Sequence, residues 1–233
     1  MRQTARRMRV EDVLDQDPNM AQIRAVLRPE EDSVGLDDPP PQMSTEEQIE
    51  FLAKHRKPLS EWAYTSLLHY LHATNRPLRS VADAQVVQIE HNECLPVTAY
   101  QPFTVSFDDR VYSCSESHFP NSQVQYRHPL NHTIESGSIT AIWVLPIKDG
   151  RHTFFLVTPH MPLPPNEDAK APFVHMSSRY SVRIFNAIST VLPIIIEPKH
   201  IISHVSTYRR PEGTYQIPLQ TIVVCTALNR GRR

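Results

Sequence analysis

Alternating apolar and polar residues dominate the second half of the chain and predict a strand-rich module. The clearest unit is a pair of apolar runs, Ser138–Ile147 and Arg151–Thr158, separated by Lys148-Asp149-Gly150. An Asp-Gly pair between two such runs is the strongest short-range signal for a β-hairpin. Phe103–Phe107 alternates strictly and precedes a predicted turn at Asp108-Asp109. Similar runs predict strands over residues 181–185, 191–197, 205–208, 214–217 and 221–228. Many short strands with turn signals between them indicate a small β-barrel or a β-sandwich. Of the two, a small, partly open β-barrel is the predicted architecture.

Helical periodicity in residues 44–78 predicts two helices before the strands begin. Ser44-Thr-Glu-Glu47 has the spacing of a capping box, and Lys57-Pro58 ends this first helix. Ser60 is the predicted cap of the second helix. The predicted buried side of this second helix comprises Trp62, Ala63, Leu67, Leu68 and Leu71. Two short helices joined by a tight turn form a helical hairpin.

The first 43 residues are predicted to be a weakly ordered arm that ends in an acidic, proline-rich linker. The segment 29–41 has few apolar groups, so it cannot offset the entropy of ordering and is predicted to be disordered. The predicted fold class is therefore mainly β with N-terminal α, or α+β. The predicted organisation is an arm and linker over 1–43, a helical hairpin over 44–78, a β-barrel module over 80–228 and a basic tail over 229–233.

Charge is distributed unevenly although the formal net charge is only −1. Residues 1–50 hold twelve acids and six bases, whereas residues 120–233 hold six acids and twelve bases. Arginine binds phosphate well and aromatic rings stack on bases, so arginines and tyrosines in this half are candidates for nucleic-acid binding. These candidates are Arg127, Arg151, Arg179, Arg183, Arg209, Arg210, Tyr126, Tyr180 and Tyr208. The competing interpretation is a solvated basic surface with the aromatic rings in the core.

Motifs for catalysis are absent from the sequence. It has no Gly-x-Ser-x-Gly elbow, no glycine-rich phosphate loop and no Cys-x-x-Cys pair. Two pairs at a spacing of four remain, Cys114 with His118 and His200 with His204, and the second lacks the adjacent glutamate of a zinc protease. The other histidines, including His128, His152 and His160, are interpreted as ordinary polar surface. The chain is predicted not to be an enzyme and to need no cofactor or metal. The third alternative is an enzyme, such as a hydrolase, that uses Cys114 with His118, or His200 with His204.

Short motifs in residues 85–233 carry a family resemblance. Five motifs occur in this order: Gly137–Ile142, Thr153–Pro159, Pro172-Phe173, Val191–His204 and Leu228–Arg233. The order resembles the C-terminal region of fungal, especially basidiomycete, transposon-derived proteins of the CACTA or Kyakuja–Dileera–Zisupton type. It is also similar to a bromo-adjacent homology (BAH) module, with the apolar and closing positions taken by Ile139, Ile142, Phe154, Leu156, Ile196, Ile201 and His204. Phe154-Phe155 stands where that family has a tryptophan signature.

The resemblance implies a non-catalytic interaction module that binds a protein partner, often in chromatin. It also implies that the chain is a fragment or remnant of a mobile-element protein. Direct nucleic-acid binding is the alternative. No apolar run of about 18 residues occurs, so no membrane contact is expected. The predicted location is intracellular, and the basic cluster Ala5–Arg9 together with the resemblance predicts the nucleus.

Overall fold

A computed structural model describes residues 50–51, 54–76, 78–81, 94–108, 110–147, 150–173 and 182–226. All of them belong to the second of two units, Asp38–Arg233. The predictions for residues 1–43, for the cap at Ser44, for Arg179 and Tyr180, and for the tail 229–233 lie outside the described residues.

Strands outnumber helices among the described residues, which confirms a mainly β chain. The strands are β1 (Arg56–Pro58), β2 (Thr98–Tyr100), β3 (Thr104–Phe107), β4 (Arg110–Ser113), β5 (Gln123–Arg127), β6 (Ile134–Ile147), β7 (Gly150–Pro159), β8 (Met161–Pro162), β9 (Val182–Asn186), β10 (Ile194–Ile196), β11 (Ile201–His204), β12 (Ser206–Arg210) and β13 (Thr221–Cys225). The helices with described bounds are α1 (Glu61–Ala73), α2 (Phe119–Ser122) and α3 (Pro165–Asp168), with 3-10 turns at Pro198–His200 and Thr214–Gln216. Glu50, Phe51 and Lys54, within the first predicted helix, are also helical.

The long hairpin of β6 and β7 is the centre of a seven-stranded antiparallel sheet. The two strands pair from Gly137↔Pro159 to Ile147↔Gly150, which confirms the hairpin predicted around Asp149-Gly150. A register shift between Ile139 and Ala141 marks a bulge in β6. On its other edge β6 pairs with β5 in its first half and with β2 at Val144. The sheet continues from β5 to β11, from β2 to β1, and from β7 to β10.

The seven-stranded sheet does not close into a barrel, contrary to the barrel that the turn spacing suggested. β10 lies at one edge and β11 at the other, and only residues 197–200 connect them. No ladder joins β10 to β11 in the described residues. The similarity to a BAH module therefore stays a prediction.

Two apolar clusters cover the two faces of the β6–β7 hairpin. On one face, α1 packs Ala63, Leu67 and Leu71 against a cluster that includes Trp143 and Phe154. On the other face, the β3–β4 hairpin contributes to a cluster formed by Val105, Tyr112, Val124, Tyr126, Ile139, Ile142, Phe155, Val157 and Ile196. Alternation along β6 and β7 thus buries both faces, which explains their nearly continuous apolar sequences.

The helix α1 confirms the second predicted helix and its cap, because Ser60 accepts a hydrogen bond from Ala63 N at 3.2 Å. Its buried face is shifted from the predicted one. Trp62 is 46% exposed, whereas Tyr70 is buried. The segment before α1 is β1 rather than a tight turn, and it pairs with β2. A helical hairpin is therefore not confirmed.

A buried carboxylate anchors the end of α1 to the turn that follows β10. Tyr70 Oη donates to Glu197 Oε1 at 2.7 Å, and Arg76 donates to both carboxylate oxygens. Lys199 Nζ lies 3.3 Å from Oε1. Burial opposes ionisation of Glu197, but the hydrogen bonds from Arg76 and Tyr70 and the nearby cations outweigh it and hold the pKa below its usual value.

A second sheet of four antiparallel strands, ordered β12-β13-β9-β8, continues from the first. The chain enters it at His160, between β7 and β8, and at Val205, between β11 and β12. Residues 214–217, predicted as a strand, instead form the 3-10 turn and bury Ile217 against Leu163 and Ile184. The segment between β7 and β9 contains β8 and α3.

Candidate functional site

A cleft of about 650 Å³ lies between the two sheets. One wall comes from the seven-stranded sheet and includes Gln125, Ile134, Glu135, Ser136 and Ile194. The other comes from the four-stranded sheet and includes Pro162, Arg183, Phe185 and Val224. A volume of this size is within the range of sites that bind small ligands or short peptide segments.

His160 lies in this cleft at the corner where the chain leaves one sheet and enters the next. Its backbone N–H donates to Ser136 O at 2.8 Å. Its ring Nδ1 is 3.0 Å from Ser136 Oγ, and Nε2 is 3.1 Å from Gln123 Oε1. The ring also lies beside Phe185, with centroids 5.6 Å apart. Both ring nitrogens are therefore bonded within the protein.

Burial lowers the pKa of His160 to about 4, because the charged imidazolium is poorly solvated there. The ring is neutral near pH 7 and carries one proton. A neutral histidine with so low a pKa is a weak base, and general bases work best with a pKa near the operating pH.

The surrounding hydrogen bonds decide which nitrogen of His160 carries that proton. Ser122 Oγ donates to Phe119 O at 2.7 Å, so toward Gln123 Nε2 at 2.8 Å it can only accept. The amide oxygen of Gln123 therefore faces His160, and the ring donates to it from Nε2. The unprotonated Nδ1 then accepts a hydrogen bond from the Ser136 hydroxyl. Each polar group around the ring thus has a partner.

Arg183 is the exposed cation of the cleft. It lies in the middle of β9, opposite Val224 of β13, and shares its side of the sheet with Phe185. The carboxylate of Glu135 is already engaged, because it accepts from Tyr126 Oη at 3.0 Å and from Thr133 Oγ1 at 2.8 Å. Within the described part of the chain, Arg183 has no ion-pair partner.

Exposed apolar side chains extend from the cleft onto the surface. Ile134 is 57% exposed and Val191 is 44% exposed, and both line the cleft. The segment that carries Val191 also exposes Ile188 and Leu192, by 63% and 76%. We call these four residues the apolar rim. Such adjacent exposed apolar groups are typical of interaction surfaces.

The structure distributes the arginine and tyrosine candidates over different surfaces. Tyr126 is fully buried and bonded to Glu135, so its ring cannot stack on a base. Arg127 and Arg151 are exposed, on β5 and β7. In the second sheet, strand alternation separates the remaining candidates: the register places Arg209 opposite Ile222, on the cleft side, and Tyr208 opposite Val223, on the other side.

Arg210 lies on the same side as Tyr208, with its guanidinium 4.5 Å from the ring centroid. Arg209 lies over the ring of Phe119 at 5.2 Å. The described candidates therefore do not form one basic face.

In the two pairs singled out by spacing, each side chain contacts a different partner rather than the other member of its pair. Cys114 is buried, and its Sγ lies 3.8 Å from Pro102 O, whereas exposed His118 caps α2 through Nδ1. His200 lies in a 3-10 turn with Nδ1 bonded to Glu197 N, and His204 lies in β11, stacked on Tyr112. No group of three or more possible metal ligands occurs among the described residues.

Sequence reasoning missed the cleft because its key residues are distant along the chain. His160 was interpreted as ordinary polar surface, but it is bonded to Gln123 and Ser136. One signal was available: residues 123–127 alternate polar and apolar, which is typical of a strand with one polar face. The strand β5 does place Gln123 and Gln125 on the cleft side and buries Val124 and Tyr126.

Among the described residues, no helix has the length and apolar character needed to cross a membrane. No protein-family model, curated protein or solved structure matches this chain. The resemblance of residues 85–233 to mobile-element proteins and BAH modules therefore rests on the order of its short motifs.

Proposed function

We propose that this protein is a non-catalytic interaction module whose cleft binds a polypeptide segment of a protein partner. The observation that carries the proposal is the cleft itself, in which the two sheets present apolar and polar side chains in similar number, next to the apolar rim. Binding sites combine apolar surface, which supplies contact area, with placed polar groups, which fix the orientation of the ligand. A chromatin setting and a mobile-element origin remain parts of the proposal that depend on motif order alone.

The non-catalytic part is supported by the state of the histidine in the cleft. His160 has both ring nitrogens bonded, and its pKa of about 4 makes it a weak base for activating the Ser136 hydroxyl. Its orienting partner is the neutral amide of Gln123 rather than a carboxylate, so nothing stabilises an imidazolium if one forms. Cys114 and His118 make separate local contacts.

Direct nucleic-acid binding is the second candidate. Tyr208 is 61% exposed beside Arg210, which is an arrangement suited to a stacked base and a phosphate. Arg183 and Arg209 lie on the other side of the sheet from Tyr208 and Arg210. The patch around Tyr208 therefore has fewer cations than a surface that contacts several phosphates of a nucleic acid. The geometry therefore supports the peptide-binding proposal better.

A selection of random peptides displayed on phage, made on the full chain, tests the proposal. Selected peptides should bind wild type, and Val191→Asp should weaken binding about tenfold or more by placing a charge in the apolar rim. Val111→Asp is the matched control, because Val111 is 43% exposed on β4 and is not part of the cleft lining. The control should leave binding unchanged.

Failure to enrich any peptide, or equal binding by wild type and Val191→Asp, overturns the proposal. A parallel titration with duplex DNA and single-stranded RNA distinguishes the second candidate. Affinity that falls steeply as salt is raised would show several phosphate contacts and would favour nucleic acid as the partner.

A further inference from the structure

We propose that the partner segment carries a carboxylate that pairs with Arg183, flanked by apolar side chains that lie against the walls of the cleft and the apolar rim. This inference rests on the proposed function and specifies the chemistry of its ligand. The ligand class is an acidic–apolar peptide.

The position of Arg183 makes it the charged contact of the site. It projects from the same side of the four-stranded sheet as Phe185 and Val224, and all three line the cleft. The aliphatic part of an arginine packs well on such apolar neighbours, while its guanidinium stays available to a ligand. The planar guanidinium donates two parallel hydrogen bonds to a carboxylate.

None of the other described ionisable groups of the cleft forms an ion pair with this cation. Glu135 directs its carboxylate oxygens to the hydroxyls of Tyr126 and Thr133 rather than to Arg183. His128 accepts hydrogen bonds at Nδ1 from the backbone N–H groups of Leu130 and Asn131. His160 is neutral near pH 7 because burial lowers its pKa. Arg183 is thus a cation of the described lining without an anionic partner in the protein, and a ligand carboxylate can supply that partner.

A single arginine favours a carboxylate over a phosphorylated side chain. Sites for phosphopeptides typically gather several arginines around the doubly charged group. Among the described residues that line the cleft, Arg183 is the one arginine and there is no lysine. The apolar neighbours Ile134, Val191 and Phe185 favour apolar side chains on either side of the carboxylate.

Peptides selected on the full chain provide the test. They should be enriched in Asp or Glu next to apolar residues. Neutralising that acid, by Asp→Asn or Glu→Gln in one selected peptide, should weaken binding to wild type about tenfold or more. Arg183→Gln should bind the original peptide as weakly as wild type binds the neutral one, and should no longer distinguish the two peptides. Arg151→Gln, which removes an exposed arginine outside the cleft lining, should keep the full discrimination.

The outcomes separate this inference from the proposal on which it depends. If no peptide is selected, or if Val191→Asp has no effect, cleft binding itself is refuted. If binding depends on Val191 but Arg183→Gln still discriminates between the acidic and neutral peptides, the cleft binds peptides and the carboxylate inference is wrong. Selected peptides without an acidic residue overturn it as well.

Discussion

The histidine in the cleft should make the stability of the protein depend on pH in a defined window. His160 has an ordinary unfolded pKa of about 6.5, and burial lowers its folded pKa to about 4. Between these values the unfolded chain binds more protons than the folded chain, so the free energy of unfolding falls as pH falls. A shift of this size corresponds to at most about 3 kcal/mol, of which about 2 kcal/mol is lost between pH 7 and pH 4.5.

Unfolding by denaturant at pH 7 and at pH 4.5 measures this effect in wild type and in His160→Gln. The variant should be less stable at pH 7 by about 1–3 kcal/mol, because Ser136 and Gln123 lose their ring partner. Its loss of stability between the two pH values should be smaller than that of wild type by about 2 kcal/mol. His69→Gln, at an exposed position of α1, controls for the substitution itself. Equal losses in wild type and His160→Gln would refute the reasoning.

Two further predictions concern packing and the buried carboxylate. Gly137→Ala should destabilise the protein by about 1–3 kcal/mol in a thermal unfolding assay, because a Cβ there would lie 2.6 Å from a carbonyl oxygen of β7. Gly150→Ala is the control and should have little effect in that assay, because the nearest atom to its Cβ would be 4.0 Å away. Tyr70→Phe should lower the free energy of unfolding by about 1–2 kcal/mol, since it removes a hydrogen bond to ionised Glu197. A Tyr70→Phe variant as stable as wild type would show that this bond contributes nothing.

Local sequence signals predicted the elements whose conformation depends on neighbouring residues. The Asp149-Gly150 pair located the β6–β7 hairpin because a turn signal between two apolar runs acts on the strands beside it, and the observed pairing extends to Ile147↔Gly150. Ser60 located the start of α1 because its side chain satisfies an N–H group of the first turn. Both signals act over a few residues and need no knowledge of the tertiary structure.

Burial that depends on distant partners was predicted less well. Trp62 was expected inside and is exposed. Tyr70 is buried, and Glu197, distant in sequence, accepts a hydrogen bond from its hydroxyl. Residues 214–217 have the alternation of a strand, but their apolar groups pack as a turn against Leu163 and Ile184. A period of two in four residues does not specify a strand unless a neighbouring strand is available to pair with it.

The polar network around His160 has a structural cause that also bears on recognition. Where the chain passes from β7 to β8 it changes sheets, and polar groups at such a corner need partners other than a regular ladder. The Ser136 carbonyl accepts a hydrogen bond from the backbone N–H of His160, and the Ser136 hydroxyl is bonded to the ring at Nδ1. The amide oxygen of Gln123 is bonded to the ring at Nε2. These bonds leave the corner neutral near pH 7 and its ring nitrogens occupied. A ligand in the cleft therefore gains little from polar contact with the ring, so selectivity must come from the walls, from the apolar rim and from Arg183.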